Sequence, residues 1–141
     1  MDKMRIMLVD DEVGFLSTTK KLLERKGLQV TTAASGHEAL EKLEGESIQV
    51  MILDVKMPGM DGVAVLKAVK SRYPLVQVVM LTGHGTVESA LEGLRSGATD
   101  YLMKPIDIDE LIAKAEEAFV RWQIMEEKIR VAEGRTPTKK Q

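Results

Sequence analysis

The sequence predicts a doubly wound α/β fold, in which five parallel strands alternate with five helices. Short apolar segments of four or five residues alternate along the chain with longer segments whose apolar residues recur at helical spacing. Four of the short segments are also followed at once by Asp, Thr or Lys. Ligands of open parallel sheets bind at the carboxyl ends of strands, so this placement of polar side chains supports the same fold class.

The five apolar segments are the predicted strands. The segment from Val50 to Asp54 is apolar at four consecutive positions, which indicates a central strand buried on both faces. The segment from Gln29 to Ala33 is more polar and suits an edge strand. The predicted strands are Arg5 to Val9, Gln29 to Ala33, Val50 to Asp54, Gln77 to Leu81 and Asp100 to Met103.

The helices are predicted from apolar spacing and from capping residues. Ser35 with Glu38 forms a capping box, and Asp107 with Glu110 does the same before the last helix. Gly27 suits the end of the first helix. The predicted helices start at Val13, Ser35, Val63, Val87 and Ile108, and the first, third, fourth and fifth end near Lys26, Tyr73, Ser96 and Ala132. The fourth is expected to bury Ala90, Leu91 and Leu94.

Composition limits the possible functions. The chain has 141 residues, 44% hydrophobic and 30% charged, which suits one globular domain with a real core. The formal net charge of -2 gives no overall attraction to nucleic acid or to an anionic membrane. The absence of cysteine excludes disulfides, thiolate metal sites and thiol nucleophiles. No segment resembles a signal peptide or approaches the ~20 apolar residues of a membrane span, so we expect a cytoplasmic protein.

The strand ends predict a phosphoryl-transfer site. Right-handed crossovers bring Asp10, Asp11, Asp54, Thr82 and Lys104 to one edge of the sheet. Three carboxylates this close repel one another, and a hard divalent cation with oxygen ligands, best Mg²⁺, relieves the repulsion. Asp54 would then attack phosphorus, while the cation and Lys104 neutralise the phosphoryl oxygens and Thr82 donates a hydrogen bond. Singly, each residue has the ordinary explanation of a helix cap or a solvated loop residue, but four strand ends with complementary charge together favour the functional interpretation.

Several motifs resemble the receiver domain of bacterial two-component response regulators. The resemblance covers about residues 4 to 121, in the order and spacing of that family, and the loop after Thr82 is most similar to receivers of the nitrogen-regulator type. It implies the flavodoxin-like fold with strand order 2-1-3-4-5 and a cis peptide bond before Pro105. The motifs are Asp10-Asp11-Glu12, Leu53 to Gly62, Leu81-Thr82-Gly83, Gly83-His84-Gly85-Thr86-Val87 and Gly97 to Pro105.

The resemblance also assigns roles. Asp54 would be the phosphoacceptor, phosphorylated by a sensor histidine kinase or a phosphotransfer protein. The backbone carbonyl of Lys56 would join Asp10, Asp11 and Asp54 around Mg²⁺. Thr82 and Lys104 would contact the phosphoryl group, and Tyr101 would form the conformational switch with Thr82. On spacing alone, Tyr101 is equally well explained as a partly buried aromatic residue of the last strand.

The last helix extends past the predicted domain. Its apolar residues are spaced alternately by four and three, in a heptad-like stripe. We assign residues 1–121 to the receiver domain and 122–141 to a helical extension with a disordered tail, and expect Trp122, Met125 and Ile129 to be exposed together. A weak homodimer or a partner-docking helix is favoured slightly over a linker remnant. The stripe is Leu111, Ala115, Ala118, Trp122, Met125, Ile129 and Ala132.

The sequence therefore predicts a stand-alone receiver that is not an enzyme and that signals to an unidentified protein target. We expect no nucleic acid partner and no membrane insertion. Two alternatives were weighed. A haloacid-dehalogenase-type phosphatase also uses a strand-end aspartate with Mg²⁺, but it requires a second aspartate two residues later, where this chain has Lys56. A docking module that never binds phosphate would have no need for the complete set of acids, hydroxyl and lysine.

Overall fold

The computed structural model describes residues 4–83 and 87–134, in which five parallel strands form one sheet. The strands are β1 (Arg5–Val9), β2 (Gln29–Ala33), β3 (Val50–Asp54), β4 (Gln77–Thr82) and β5 (Asp100–Met103). Their order is β2-β1-β3-β4-β5, as the family resemblance implied, so the predicted fold class is confirmed. The peptide bond between Lys104 and Pro105 is cis, also as expected.

Helices cover both faces of the sheet. They are α1 (Val13–Arg25), α2 (Gly36–Gly45), α3 (Gly62–Arg72), α4 (Val87–Arg95) and α5 (Ile108–Ala132). The core on one face includes side chains of α2 and α3, and that on the other includes side chains of α1 and α5. Every bound lies within about one residue of its prediction. Three residues of the predicted loop motif, His84, Gly85 and Thr86, lie outside the described residues. In the described part of the chain, no helix is long and apolar enough to cross a membrane.

The loop after β3 is held tightly against the end of that strand. The N–H of Gly62 donates a hydrogen bond to the carbonyl of Val55 at 2.8 Å, and Asp61 caps α3 by accepting from the N–H of Ala64 at 2.9 Å. A Cβ atom at Gly62 would lie 2.7 Å from Cα and 2.9 Å from O of Val55, and would also contact the carbonyl oxygen of Asp54. Only glycine allows this approach, which positions Asp54 from the helix side.

The fourth helix buries fewer apolar residues than predicted. In α4, Ala90 is buried as expected, but Leu91 and Leu94 are 45% and 38% exposed, so that part of the prediction is wrong. The inward side of α4 carries Gly93 instead, where a Cβ atom would lie 3.0 Å from Cγ of Met80. The helix therefore approaches β4 through small residues, and its leucines point away. In α1, Leu16 and Leu23 are buried, whereas Leu22 is 37% exposed.

The sheet covers only the first half of α5. Leu111, Ala115 and Ala118 are fully buried in the core. Beyond them Met125 is exposed, as predicted, whereas Trp122 and Ile129 are partly buried. Trp122 is better covered because its ring stacks on Phe119, with centroids 5.8 Å apart and an angle of 7° between the planes. Exposed apolar residues of the second half of the helix are Val120, Ile124, Met125 and Val131.

Candidate functional site

Three carboxylates meet at the carboxyl end of the central strands. Asp10 follows β1 and is fully buried, Asp54 ends β3 and is 6% exposed, and Asp11 beside them faces solvent. One carboxylate oxygen from each lies within 4.8 Å of the others. The structure thus brings together the acids that the sequence predicted, and it does so because β1 and β3 are adjacent parallel strands in register.

Asp54 occupies an environment that disfavours its charged form. Burial, followed by the nearby charge of Asp10, raises the pKa of Asp54 to about 6, and the Lys104 ammonium only partly offsets this. Its Oδ1 accepts one long hydrogen bond, 3.4 Å, from the N–H of Lys56. An added cation would therefore stabilise the charged form of Asp54 more than it would stabilise that of an ordinary surface carboxylate.

Lys104 reaches the acids from the end of β5. Its Nζ lies 2.9 Å from Oδ2 of Asp10, whose side chain is almost entirely buried. Burial alone would lower the pKa of the Lys104 ammonium, but the contact with Asp10 and the charge of Asp54 outweigh burial and raise it. The lysine stays charged and supplies the site's positive charge. Oδ2 of Asp10 nevertheless accepts no hydrogen bond of regular geometry, while Oδ1 accepts the N–H of Glu12 at 2.9 Å.

Thr82 and Tyr101 lie on the neighbouring strands. Thr82 is buried, and its hydroxyl donates a hydrogen bond to the carbonyl of Leu102 at 3.3 Å. The Thr82 carbonyl in turn accepts the N–H of Lys104 at 2.7 Å, which ties the end of β5 to the end of β4. Tyr101 is 39% exposed and points away from the core. In this state the Thr82 hydroxyl is directed to β5.

Two residues of the site were missed from the sequence. Oε1 of Glu12 lies 3.3 Å from the Lys104 ammonium, which also sits 5.1 Å from the centre of the Phe15 ring. The sequence placed Glu12 only in the Asp10-Asp11-Glu12 motif, and it gave no signal for Phe15. Glu12 and Lys104 are 92 positions apart, and no local pattern signals a contact of this kind.

The donor set fits a hard divalent cation. All the converging ligands are carboxylate oxygens, and the buried Oδ2 of Asp10 has the Lys104 ammonium as its one polar partner among the described residues, at 2.9 Å and without regular hydrogen-bond geometry. Mg²⁺ prefers oxygen ligands and commonly binds through one or two carboxylates, keeping waters for its other positions. Asp10, Asp11 and Asp54 are therefore the residues of the described chain best suited to hold such an ion.

Comparison with known proteins gives the same result. The response regulator receiver domain family matches residues 6–116. The DNA-binding transcriptional regulator NtrC of Escherichia coli K12 is 39% identical over 118 residues, covering 84% of this chain and 25% of NtrC. The solved receiver domain of NtrX from Brucella abortus is 35% identical with a TM-score of 0.77, covering 81% of this chain and 97% of that one. A receiver domain protein from Clostridium thermocellum is 36% identical with a TM-score of 0.82, covering 86% and 98%.

These matches place the chain in a class of proteins, the phosphoacceptor domains of two-component phosphorelays, which signal through phosphorylation. Within it, the chain belongs to the response regulator receiver domain family and is similar to receivers of the nitrogen-regulator type. The chain spans about a quarter of the length of the NtrC relative that it matches.

Proposed function

We propose that Asp54 accepts the phosphoryl group in this receiver. The observation that carries the proposal is the convergence of Asp10, Asp11, Asp54 and Lys104 at one strand-end crevice, with Asp54 buried at the end of the central strand. An isolated strand-end carboxylate is common. A buried one that shares its crevice with two further acids and a lysine is suited to receive a phosphoryl group.

The transfer needs a nucleophile and a means of neutralising the phosphoryl oxygens. A carboxylate oxygen of Asp54 attacks phosphorus, the bond from phosphorus to the donor histidine nitrogen breaks, and its electron pair stays on that nitrogen. With a pKa of about 6, Asp54 is mostly ionised at neutral pH and above. Lys104 stabilises the charge that moves onto the phosphoryl oxygens, and the Thr82 hydroxyl, once it turns from Leu102, donates to one of them.

Asp10, Asp11, Asp54 and the backbone carbonyl of Lys56 are the proposed Mg²⁺ ligands. When bound, Mg²⁺ would screen the acids from one another and polarise the phosphoryl group. The convergence of one oxygen from each of Asp10, Asp11 and Asp54 within 4.8 Å supports this assignment.

The proposed output is a change at Thr82 and Tyr101. A phosphoryl group on Asp54 attracts the Thr82 hydroxyl, which breaks its bond to Leu102 and leaves space toward which the half-exposed Tyr101 moves. The surface that changes is formed by α4, β5 and α5. Signalling then occurs through a protein that recognises this surface.

The proposed upstream partner is a sensor histidine kinase or a phosphotransfer protein, and the proposed location is the cytoplasm. The proposed downstream target is a protein, without nucleic acid or membrane insertion, in keeping with the net charge of -2. We propose no enzymatic activity on an external substrate. The phosphatase alternative is disfavoured because Lys56 stands where that chemistry needs its second aspartate.

The phosphoacceptor assignment is tested by mass spectrometry after incubation with Mg²⁺ and a small phosphodonor. We expect one phosphate on the wild-type chain at Asp54 and none on Asp54→Asn, because the amide keeps the shape but is not a nucleophile. In the phosphorylated protein, amide exchange should change at β5, α4 and α5. Undiminished labelling of Asp54→Asn would contradict the acceptor, and exchange changes confined to α1 would contradict the switch.

A weak homodimer through the second half of α5 is a further proposal, and it predicts concentration-dependent mass. Ile124 and Met125 are 49% and 45% exposed, and burying such side chains contributes roughly 1.5–3 kcal/mol each. Light scattering should show a mass that rises with concentration, and the Ile124→Ser and Met125→Ser double variant should lose this rise. Leu22→Ser, at a similarly exposed position of α1, is the control. A wild-type mass that stays monomeric at high concentration, with and without phosphorylation, would exclude self-association.

A further inference from the structure

The Lys104 ammonium is held by the segment that joins β1 to α1. It lies 2.9 Å from the carboxylate of Asp10, 3.3 Å from that of Glu12 and 5.1 Å from the centre of the Phe15 ring. Among the described residues, no ion pair within 4.0 Å joins it to Asp54. The lysine therefore rests beside β1, although its proposed task is to contact a group on β3.

Glu12 has no other evident structural task. It is the N-cap residue of α1, but its side chain makes no capping hydrogen bond. The side chain is 68% exposed, and within the described chain its carboxylate contacts only Lys104. Phe15 lies beneath the ammonium, where the face of an aromatic ring attracts a cation. These two residues thus form a binding position for one ammonium group, adjacent to the metal ligands but separate from them.

Two cations would compete for Asp10. The Oδ2 atom that pairs with Lys104 belongs to a carboxylate of the proposed cation site, so the ammonium and a divalent cation would both be attracted to it. A divalent cation bound at Asp10 would repel the Lys104 ammonium and replace it beside the Asp10 carboxylate. Glu12 and Phe15 would still be able to bind the ammonium. When Asp54 is phosphorylated, the new dianionic group attracts the same ammonium, and Glu12 opposes that movement.

We propose that Glu12, with Phe15 beneath the ammonium, is a positioning residue that holds Lys104 in a resting place. In that position the ammonium keeps a partner when a divalent cation binds at Asp10. It leaves Glu12 when it moves to contact a phosphoryl group on Asp54. This inference rests on the proposed function, because it concerns the same cation site and the same acceptor. Its consequence is that Glu12 favours binding of the cation and disfavours the phosphorylated state.

The test is calorimetric titration of wild type and Glu12→Gln, first with MgCl₂ alone and then with beryllium trifluoride in excess Mg²⁺. Beryllium trifluoride imitates a phosphoryl group on a carboxylate without covalent transfer. In Glu12→Gln, we expect Mg²⁺ to bind about two- to fivefold more weakly, since the displaced lysine has no second partner. We expect beryllium trifluoride to bind about two- to fivefold more tightly. These factors are the usual range for an exposed ion pair.

A double-mutant cycle separates this role from a simple change of charge. If Glu12 acted only through its negative charge, Glu12→Gln would shift both affinities in these directions with or without Lys104. If Glu12 acts by holding Lys104, as proposed, Glu12→Gln should change neither affinity in the Lys104→Met background. Glu24→Gln, on the exposed side of α1, controls for the loss of one overall charge and should match wild type.

The outcomes distinguish the inference from the function on which it rests. If wild type binds no beryllium trifluoride with Mg²⁺ present, the proposed function fails. If wild type binds beryllium trifluoride and Glu12→Gln binds it equally well, the proposed function stands and the resting place for Lys104 is overturned. The same conclusion follows if Glu12→Gln has the same effect in the Lys104→Met background.

Discussion

Asp54→Asn should be more stable than wild type by about 3 kcal/mol at pH 8 in metal-free buffer. Folding moves the Asp54 carboxylate into a buried site beside Asp10, which raises its pKa from 3.8 to about 6. That difference corresponds to about 3 kcal/mol of destabilisation by the charged form. Asparagine fills the same space without charge, so the cost disappears. Urea unfolding of both proteins measures the gain.

The pH dependence of this gain has a definite sign. The carboxyl has a raised pKa in the folded state, so its destabilising effect is complete above about pH 6 and falls as the pH is lowered toward 3.8. The stability difference between Asp54→Asn and wild type should therefore shrink steadily over that interval. Saturating Mg²⁺ at pH 8 should also reduce or reverse the difference, because the cation binds and stabilises only the wild-type acid set.

Glu24→Gln serves as a control for the Asp54 prediction. It removes one exposed carboxylate, and its unfolding free energy should stay within about 0.5 kcal/mol of wild type. A gain for Asp54→Asn that is equal at pH 8 and pH 4, or a loss of stability at pH 8, would contradict the view that Asp54 is a buried and electrostatically costly charge.

Gly62→Ala should destabilise the protein by about 2–3 kcal/mol and lower phosphorylation with it. The added methyl group would overlap backbone atoms of Asp54 and Val55, which cannot move aside as a flexible side chain could. The loop must shift instead, and the hydrogen bond from Gly62 to Val55 is strained or lost. Since this loop carries Lys56, the proposed metal site shifts too. Denaturant unfolding and the rate of labelling by a small phosphodonor are the measurements.

Gly14→Ala is the matched control for Gly62→Ala. Both glycines lie in the first turn of a helix, but a Cβ atom at Gly14 would meet no atom within 4 Å. Alanine there should stabilise α1 by about 0.5–1 kcal/mol. If Gly62→Ala is as stable as wild type, the close approach of the loop to β3 does not fix the site in the way proposed.

The sequence predicted the fold well because its local signals agree with one another. Ser35 and Glu38, for example, form the predicted capping pair, with the Ser35 hydroxyl accepting the N–H of Glu38 at 3.1 Å. Gly27 and Gly97 both have positive φ at the ends of their helices. Alternation of strands and helices then leaves few topologies that are right-handed and unknotted.

The prediction failed where packing depends on partners that are distant in sequence. Apolar periodicity in α4 includes Leu91 and Leu94, but it cannot show that Gly93 is the point of contact with Met80. In the site, the strand-end rule brought Asp10, Asp54 and Lys104 to one edge. It could not show that Lys104 pairs with Asp10 and Glu12, because side-chain direction depends on local charges and not on spacing.

The length of α5 affects how motion at its base is transmitted. The helix has 25 residues, of which those from Phe119 to Ala132 follow its last buried residue and span roughly 20 Å. For a rigid helix that pivots at Ala118, a tilt of about 10° moves the far end by roughly 3.5 Å. A partner bound to the distal turns would therefore meet the largest displacement of α5 when a rearrangement near Tyr101 tilts the helix.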